Sequence, residues 1–522
     1  MLDWEREMKE LEERRRCALL MGGEEKIARW HAKGRLTARE RINRLLDPGT
    51  FMEIGMLNHS DIPGLEDKTP ADSKIAGYGE IDGRTVAVIA CDFTVLSSST
   101  SRVSQRKERE LKNDVSTKGF PLIYLGECGG GRIPDMMGSY GISSFGGMTP
   151  DGYLKSYSRG ERLSPMIMAA MGECYGAATW MASMSDLVLQ IKGSAIAVSG
   201  PRVLEIALSE TVSMEELGGW KVHAETTGMN DVVVEDEEDC FKTIRQLLGY
   251  LPSHRDEFAP VSNVPQGAGN KMGDILKYLP KQRNQAYDMN RILKCVVDED
   301  SLFPVKPLFG KNTITSLARV GGRVVGVVAS QPMFGAGSID SDGIDKAISF
   351  LCLCDSFNIP LVFFHDTPGF LAGREAERKR VAGKIINFNQ ALSLVTVPKI
   401  SIVVRKSYGM AYNNMGGAGC RSDFLVAWPT AEISFVAPEI AANIVHGGKD
   451  VQGRDEKEEY DAVLEKIIKD ISPYGAAGRH LIHDVIDPRE TRKYIIKALN
   501  ICSRSRSRGL SEHKLAAWPT KF

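Results

Sequence analysis

The sequence predicts an α/β fold that is built twice, as two large related domains with largely parallel sheets. Apolar, β-branched runs alternate with helical segments along the 522 residues, which is the pattern of parallel strands covered by helices. The stretch Pro398–Ala411 (PKISIVVRKSYGMA) aligns without gaps with Pro165–Ala178 (PMIMAAMGECYGAA). The flanking segments repeat in the same order, with PLVFFHDTPGF from Pro360 matching PLIYLGECGGG from Pro121. These repeats indicate an internal duplication of a whole domain.

The first half begins with helices and continues with strands. Residues 1 to about 50 form helices with a basic polar face, for which we leave open a solvated surface or a contact with an anionic ligand or subunit. Strands begin near Gly77, and the pair Asp82-Gly83 between two apolar runs predicts a hairpin turn. A helix, a strand and the glycine turn 128–131 follow, and a later strand ends at a second glycine turn, 175–176.

The second half repeats this order after a linker. Proline, glycine and polar residues accumulate between Pro252 and Gly273, which is typical of an interdomain segment. We therefore place an N-terminal domain at residues 1–260 and a C-terminal domain at residues 261–522. The C-terminal domain contains its own two glycine turns, at Pro368-Gly369 and at Tyr408-Gly409.

Composition and charge exclude several classes of protein. Hydrophobic residues make up 43% and charged residues 25% of the chain, as in ordinary globular proteins. The formal net charge of −1 gives no reason to expect a surface that binds nucleic acid or a membrane. The ten cysteines include no C-x-x-C pair, and no apolar run has the length of a membrane span. We expect a cytoplasmic protein in which most cysteines are reduced and buried.

The glycine turns are the strongest chemical signal. A buried strand that ends in a glycine turn before a helix leaves backbone N–H groups without partners, and such donors can bind an oxyanion. One turn of this kind is more often an ordinary connection than a site. Because each half has two of them, we predict two related pockets, each with two backbone donors.

Two other motifs suggest different functions, and we discount both. Gly126–Gly130 fits the G-x-C-x-G pattern of a nucleophile elbow around Cys128, but the second copy has Thr367 at the equivalent position. Asp366–Gly369 resembles the D-x-x-G switch of GTPases, yet the sequence lacks the phosphate-binding loop that such enzymes require. No carboxylate pair or histidine cluster has the spacing of a metal site, so we predict no metal ligands.

Several longer motifs indicate a family. They are HAKGRLTARERINRLLDPGTF (31–51), GGGRIP (129–134), FNIPLVFFHDTPGFLAG (357–373), RKSYGMAY (405–412) and SPYGAAGRHLIHDVIDPRETR (472–492). On these residues the chain resembles the carboxyltransferase (beta) subunit of biotin-dependent acyl-CoA carboxylases, of the propionyl-CoA and methylcrotonyl-CoA carboxylase type. The similarity covers nearly the whole chain. It implies two crotonase-like (ClpP/crotonase) domains, with each active site between the N-domain of one subunit and the C-domain of another.

The resemblance assigns a carbonyl oxygen to each pocket. In the N-domain, the acyl-CoA side, Gly131 and Gly176 with Ala177 would hold the thioester oxygen. In the C-domain, the biotin side, the residues that would hold the ureido oxygen of biotin are Phe370, Gly409, Met410 and Ala411. Gly130, Gly369 and Asn413 would contribute to substrate binding. The chain departs from the family pattern at three positions. The family usually has glycine where this chain has Ala177 and Met410, and the propionyl-type branch has aspartate where this chain has Asn413.

The resemblance also implies partners and a mechanism. The sequence lacks a biotin-lysine A-M-K-M motif and an apparent ATP-binding domain, so biotin would arrive on a partner chain, with biotin carboxylase and biotin carboxyl carrier subunits as partners. The chain itself would form a homohexamer or another homo-oligomer. A carboxyl group would move from carboxybiotin to the α or vinylogous carbon of an acyl-CoA, which is the second substrate, and biotin would supply the base. Three alternatives remain open: a biotin-dependent decarboxylase subunit running in reverse, a biotin-independent acyl-CoA hydrolase or isomerase, and a non-catalytic scaffold subunit.

Overall fold

The computed structural model describes residues 4–144, 159–445 and 454–518. The chain divides into two compact units, one up to Arg255 and one from Asp256. Each unit has one eight-stranded sheet with helices around it. The predicted α/β fold with two related halves is therefore confirmed.

The first sheet has mostly parallel strands. Its strands are β1 Met52–Ile54, β2 Lys74–Ile81, β3 Arg84–Cys91, β4 Leu122–Gly129, β5 Met166–Tyr175, β6 Leu187–Ile191, β7 Ala195–Ala197 and β8 Val232–Val234. The order is β1-β2-β3-β4-β5-β6-β8, and β7 pairs with the end of β5. The β1–β2 and β2–β3 pairs are antiparallel, and the others are parallel.

The second sheet has the same topology. Its strands are β9 Phe303–Val305, β10 Thr313–Val320, β11 Arg323–Ser330, β12 Leu361–Thr367, β13 Lys399–Tyr408, β14 Phe424–Ala427, β15 Glu432–Ser434 and β16 Asp484–Val485. The order is β9-β10-β11-β12-β13-β14-β16, with β15 paired to the end of β13. Only the β9–β10 and β10–β11 pairs are antiparallel among these described strands. Strand for strand, this sheet repeats the first one.

Helices connect and cover the strands. In the first unit they are α1 Trp4–Leu19, α2 Glu24–His31, α3 Ala38–Leu45, α4 Arg102–Lys118, α5 Ile133–Met136, α6 Gly138–Ser144, α7 Ala177–Met184, α8 Pro201–Leu208, α9 Met214–Gly218 and α10 Glu237–Tyr250. In the second they are α11 Met289–Val296, α12 Ser341–Ser356, α13 Arg374–Arg378, α14 Val381–Leu394, α15 Gly409–Asn414, α16 Pro438–Val445, α17 Arg454–Asp470, α18 Pro473–Ala477 and α19 Thr491–Cys502. Within the described ranges, no helix combines the length and apolarity needed to span a bilayer.

The predicted hairpin turn is present, and its counterpart exists in the second half. Ile81 pairs with Arg84 across Asp82 (φ 52°) and Gly83 (φ 73°). Two consecutive positive φ angles give the tight turn whose twist matches antiparallel strands. Gly321 (φ 62°) and Gly322 (φ 78°) join β10 to β11 in the same way. Local sequence therefore sets the register between the second and third strands of each sheet.

The basic residues of the N-terminal helices fall into two groups, because Arg29 and Arg44 are exposed to solvent whereas Arg39 and Arg41 are largely buried. Arg39 donates to the Glu53 carboxylate at 2.7 and 3.1 Å. Arg41 is buried and donates to Glu127 and Glu237. Arg39 and Arg41 are paired with carboxylates of the same unit, so these two side chains belong neither to a solvated face nor to a site for an anionic ligand. The sequence did not predict this because the carboxylates are distant along the chain.

Candidate active site

The first glycine turn follows β4. The Thr100 N–H donates to the Gly130 carbonyl at 2.8 Å, and the Arg132 N–H donates to the Thr100 carbonyl at 2.8 Å. These two bonds form an isolated parallel β-bridge between Thr100 and Gly131, in which the Gly131 N–H faces away from Thr100. Within the described residues that N–H makes no hydrogen bond. Gly130 has φ 109°, a conformation that favours glycine and turns the chain at this point.

The second turn of the N-terminal unit joins β5 to α7. Gly176 has φ 59° and ψ −116°, and its N–H donates to the Val198 carbonyl at 3.2 Å. The next N–H, from Ala177, is the first of α7 and makes no hydrogen bond in the described part of the chain. Of the three N-domain residues predicted as donors, the two with available N–H groups are therefore Gly131 and Ala177.

The two turns of this unit are in contact. A methyl group built on Gly176 would lie 3.4 Å from the Gly130 Cα and 3.8 Å from the Gly131 nitrogen. The strands that end in these turns are neighbours in the sheet, with Gly129 paired to Tyr175. The two turns, each with one available backbone donor, therefore lie side by side at one edge of the sheet, as an oxyanion pocket requires.

The C-terminal unit repeats this geometry. The Ile339 N–H donates to the Gly369 carbonyl at 3.0 Å, and the Leu371 N–H donates to the Ile339 carbonyl at 2.8 Å. Phe370 is bridged to Ile339 as Gly131 is to Thr100, and its N–H has no partner among the described residues. Gly409 (φ 60°) begins α15 after β13.

The start of α15 has more available donors than the start of α7. The N–H groups of Gly409, Met410 and Ala411 make no hydrogen bond within the described ranges. The side chain of Met410 is 48% exposed, whereas Ala177, at the same position of the first copy, is 6% exposed. The two helix starts therefore differ both in the number of available donors and in the exposure of the residue that follows the glycine.

Asn413 lies on α15 beside a cleft. Its Oδ1 accepts a hydrogen bond from the Gly419 N–H at 3.1 Å, so the side chain bonds to the following turn and does not cap the start of α15. The cleft has a volume of about 630 Å³ and also contains Met410, Lys399 and Arg421 along its wall. Asn413 and Met410 therefore share one cavity next to the C-domain donors.

A polar cluster that sequence reasoning missed supports the end of β13. The Tyr408 hydroxyl, one residue before Gly409, bonds to the Glu432 carboxylate and accepts from Arg283 at 3.0 Å. Arg283 also donates to Glu432 at 2.7 and 3.0 Å. Burial, with help from Glu432, raises the pKa of Tyr408, so this hydroxyl stays protonated. No local pattern could join residues 283, 408 and 432, because only the folded sheet brings them together.

Cys128 is a poor candidate for a nucleophile. Its side chain is fully buried, and burial raises the pKa of the thiol above its usual value. The Gly130 N–H points at its sulfur at 3.4 Å, so the thiol supports the first glycine turn. Among the described residues, no group of three His, Cys, Asp or Glu side chains is arranged to hold a metal ion. The chemistry available at both turns is hydrogen bonding to a developing negative charge.

Comparisons with known proteins indicate the family of the chain. Residues 29–515 match the carboxyl transferase domain family. The propionyl-CoA carboxylase carboxyltransferase subunit of Haloferax mediterranei is 35% identical over 504 residues, which cover 95% of this chain and 96% of the relative. The methylmalonyl-CoA decarboxylase subunit alpha of Veillonella parvula is 34% identical over 501 residues, covering 94% and 95%.

A solved structure also resembles the chain over nearly its whole length. The transcarboxylase 12S structure has a TM-score of 0.89 and 32% sequence identity, covering 97% of this chain and 96% of the other. That protein is described as a hexamer with methylmalonyl-coenzyme A and methylmalonic acid bound.

Proposed function

Because the chain belongs to the carboxyl transferase family and is an acyl-CoA carboxyltransferase, we propose that it transfers a carboxyl group between biotin and the α or vinylogous carbon of an acyl-CoA. The observation that carries this proposal is the duplicated pair of turns, in which each half has backbone N–H groups that find no hydrogen-bond partner in the described part of the chain. Carboxyl transfer to an acyl-CoA develops negative charge on two carbonyl oxygens, one from each substrate. Two pockets of backbone donors suit that requirement.

We assign one oxygen to each half. Gly131 and Ala177, with Gly176 and Gly130 shaping the turns, hold the thioester oxygen of the acyl-CoA. Phe370 and Met410, with Gly369, Gly409 and Ala411, hold the ureido oxygen of biotin. These amides fit a neutral carbonyl group that gains charge, because they donate hydrogen bonds without adding a fixed charge. Biotin, when bound, supplies the carboxyl group and the base, while this chain orients both substrates and stabilises the charge.

We propose that the partners are a second copy of this chain and a chain that carries biotin. Two helices with exposed apolar side chains support the second copy of this chain as a partner. They are α8 and α16, which occupy equivalent places in the two units. Ile206 on α8 is 75% exposed and Ile444 on α16 is 69% exposed. Exposed apolar faces of this kind mark protein interfaces. A homo-oligomer, with hexamer as the first possibility, would cover them and would complete each active site between subunits.

The proposed function predicts decarboxylation that depends on biotin. The isolated chain should decarboxylate malonyl-CoA or methylmalonyl-CoA slowly when free biotin or a biotinylated carrier is added, and should be nearly inert without it. Binding both reactants in one cleft supplies the proximity effect, worth several kcal/mol of the barrier. The measurement is CO₂ release with and without biotin at equal concentrations of CoA ester.

A biotin-independent reaction would contradict the proposal. Robust turnover of an acyl-CoA without biotin would instead indicate a hydrolase or isomerase. The full biotin-loaded complex provides the control, because its activity should exceed that of the isolated chain with free biotin. A lack of biotin-stimulated turnover in that complex with propionyl-, methylmalonyl-, methylcrotonyl- and glutaconyl-CoA would also count against carboxyl transfer.

A second candidate is the reverse reaction in the cell. One similar protein is named as a subunit of methylmalonyl-CoA decarboxylase, so the same active site could serve net decarboxylation. The partner chain would decide the direction, because an ATP-dependent biotin carboxylase favours carboxylation. Copurification of the tagged chain with a biotin carboxylase supports the carboxylase direction, and copurification with a membrane-bound decarboxylase subunit supports the other.

Asn413 provides a prediction about substrate preference. Asn413→Asp keeps the oxygen that accepts from the Gly419 N–H but places a negative charge in the cleft beside Met410. We expect the ratio of kcat/KM between short and longer acyl-CoAs to change roughly 10-fold, equivalent to about 1.4 kcal/mol. A change in melting temperature with an unchanged substrate ratio would mean that Asn413 only supports the 418–420 turn.

A further inference from the structure

Both sheets contain an irregularity directly before the first glycine turn. In the β4–β5 pair the register shifts between Gly126 and Cys128, and in the β12–β13 pair it shifts between His365 and Thr367. The residue inside the irregularity is a carboxylate in each case, Glu127 and Asp366, and both side chains are fully buried. The extra residues of each bulge are on the neighbouring strand, where residues 171–173 of β5 face Glu127 and residues 404–406 of β13 face Asp366. Each carboxylate is therefore the single residue opposite the bulge, at the end of the strand that leads into the first glycine turn.

In the N-terminal unit, arginines from outside the strand pair hold the carboxylate. Arg35 donates to the Glu127 Oε1 at 2.5 Å, and Arg41 donates to the Oε2 at 2.6 Å. Arg41 is itself held by Glu237 at 2.7 and 3.0 Å. The neighbouring strand leaves room for this group through Gly172, because a methyl group there would lie 1.9 Å from the Glu127 Oε1 and 2.7 Å from the Arg35 Nη1.

In the C-terminal unit the strand supplies the cations itself. The residue that aligns with Gly172 is Arg405, and its Nε lies 3.6 Å from the Asp366 Oδ2. Lys406 contributes a side-chain Nζ at 3.8 Å and a backbone N–H that donates at 3.3 Å, both to the Asp366 Oδ1. The two halves have thus kept a cation–carboxylate contact at the bulge while changing which residues supply the cation.

We propose that Glu127 and Asp366 are positioning residues that fix the direction of the Gly131 and Phe370 N–H groups. A buried carboxylate is strongly disfavoured away from its cation, so the end of β4 or β12 is restricted to the arrangement in which its carboxylate meets the cations. That arrangement sets the turn two to four residues later, where a small misplacement of a donor lowers the rate. The catalytic part of this inference rests on the proposed function of the two turns.

The first test distinguishes a role in positioning the backbone donors from a role in binding the CoA ester. Glu127→Gln and Asp366→Asn should each lower kcat about 10- to 100-fold, with KM for the CoA ester changed less than about 3-fold. The matched control is Glu53→Gln, because Glu53 also forms a buried pair with an arginine, Arg39, but lies in β1 away from both turns. This control should lower the melting temperature and leave kcat within about 2-fold.

Amide hydrogen exchange supplies a second readout that needs no activity. The Thr100 and Arg132 N–H groups bond across the first turn, and the Ile339 and Leu371 N–H groups bond across its counterpart. In Glu127→Gln we expect amide exchange at Thr100 and Arg132 to become at least about 10-fold faster, while the exchange rates at Ile339 and Leu371 stay the same. In Glu53→Gln the exchange rates at all four amides should stay the same. Should Glu127→Gln fail to fold, Arg35→Met is the replacement, because Arg35 is 30% exposed and Arg41 still holds the carboxylate.

The outcomes distinguish this inference from the proposed function. If the Glu127→Gln and Asp366→Asn variants show unchanged amide exchange across the turn and unchanged kcat but a lower melting temperature, the two carboxylates only stabilise the fold and do not position the donors. If the wild-type complex shows no carboxyl transfer but the turn exchanges faster in the variant, the proposed function fails and the positioning role of Glu127 remains. Both measurements use the full chain.

Discussion

Replacing Ala177 with proline is expected to lower kcat about 10²- to 10³-fold with the fold retained, because the substitution removes one backbone donor from the proposed acyl-CoA pocket. Ala177 is the first residue of α7, the position where a helix tolerates proline best. The conformation of the preceding Gly176, φ 59° and ψ −116°, is the mirror image of the extended region that a residue before proline prefers, and glycine adopts both equally.

The control for this prediction is Ala177→Ser, which keeps the N–H and adds only a hydroxyl. The serine variant should keep kcat within a few fold, and both variants should melt near the wild-type temperature. Equal activities of the proline and serine variants would show that the Ala177 N–H is not a donor in the acyl-CoA pocket. Gly176 is the wrong residue for this experiment, since its N–H already donates to Val198 and its positive φ excludes proline.

The second large effect is expected at the same place in the other half. Met410→Pro removes a donor from the start of α15, and we expect kcat to fall by about 10²-fold or more. If this pocket holds biotin, the variant should lose the stimulation by free biotin while its binding of the CoA ester, measured by calorimetry, stays unchanged. Met410→Leu keeps the N–H and a similar volume, so it should retain most of the activity.

A loss of CoA ester binding in Met410→Pro would reverse the assignment of the two pockets. The two proline variants together therefore test which half binds which substrate. Ala177→Pro should retain binding of biotin, and Met410→Pro should retain binding of the acyl-CoA.

The duplication and the family were accessible from the sequence. The gapless match of 398–411 with 165–178 predicted two equivalent halves, and the two sheets have the same strand order. The family resemblance and the two crotonase-like domains are confirmed by the match over residues 29–515 and by the transcarboxylase 12S structure. Motifs of this length identify a fold because they fix turns, strand ends and helix starts together. The roles of the individual site residues stay predictions.

The sequence by itself determined the places where the chain turns, because glycine at 130, 176, 369 and 409 is required by local backbone conformation. Only the tertiary structure decided which backbone N–H groups remain available. The Gly176 N–H donates to the carbonyl of Val198, which follows β7, whereas the Gly409 N–H makes no hydrogen bond among the described residues. It also decided that Glu127 meets Arg35 and Arg41, more than eighty positions away. Hydrogen bonds and ion pairs between distant segments depend on packing of the whole sheet, and no local pattern encodes them.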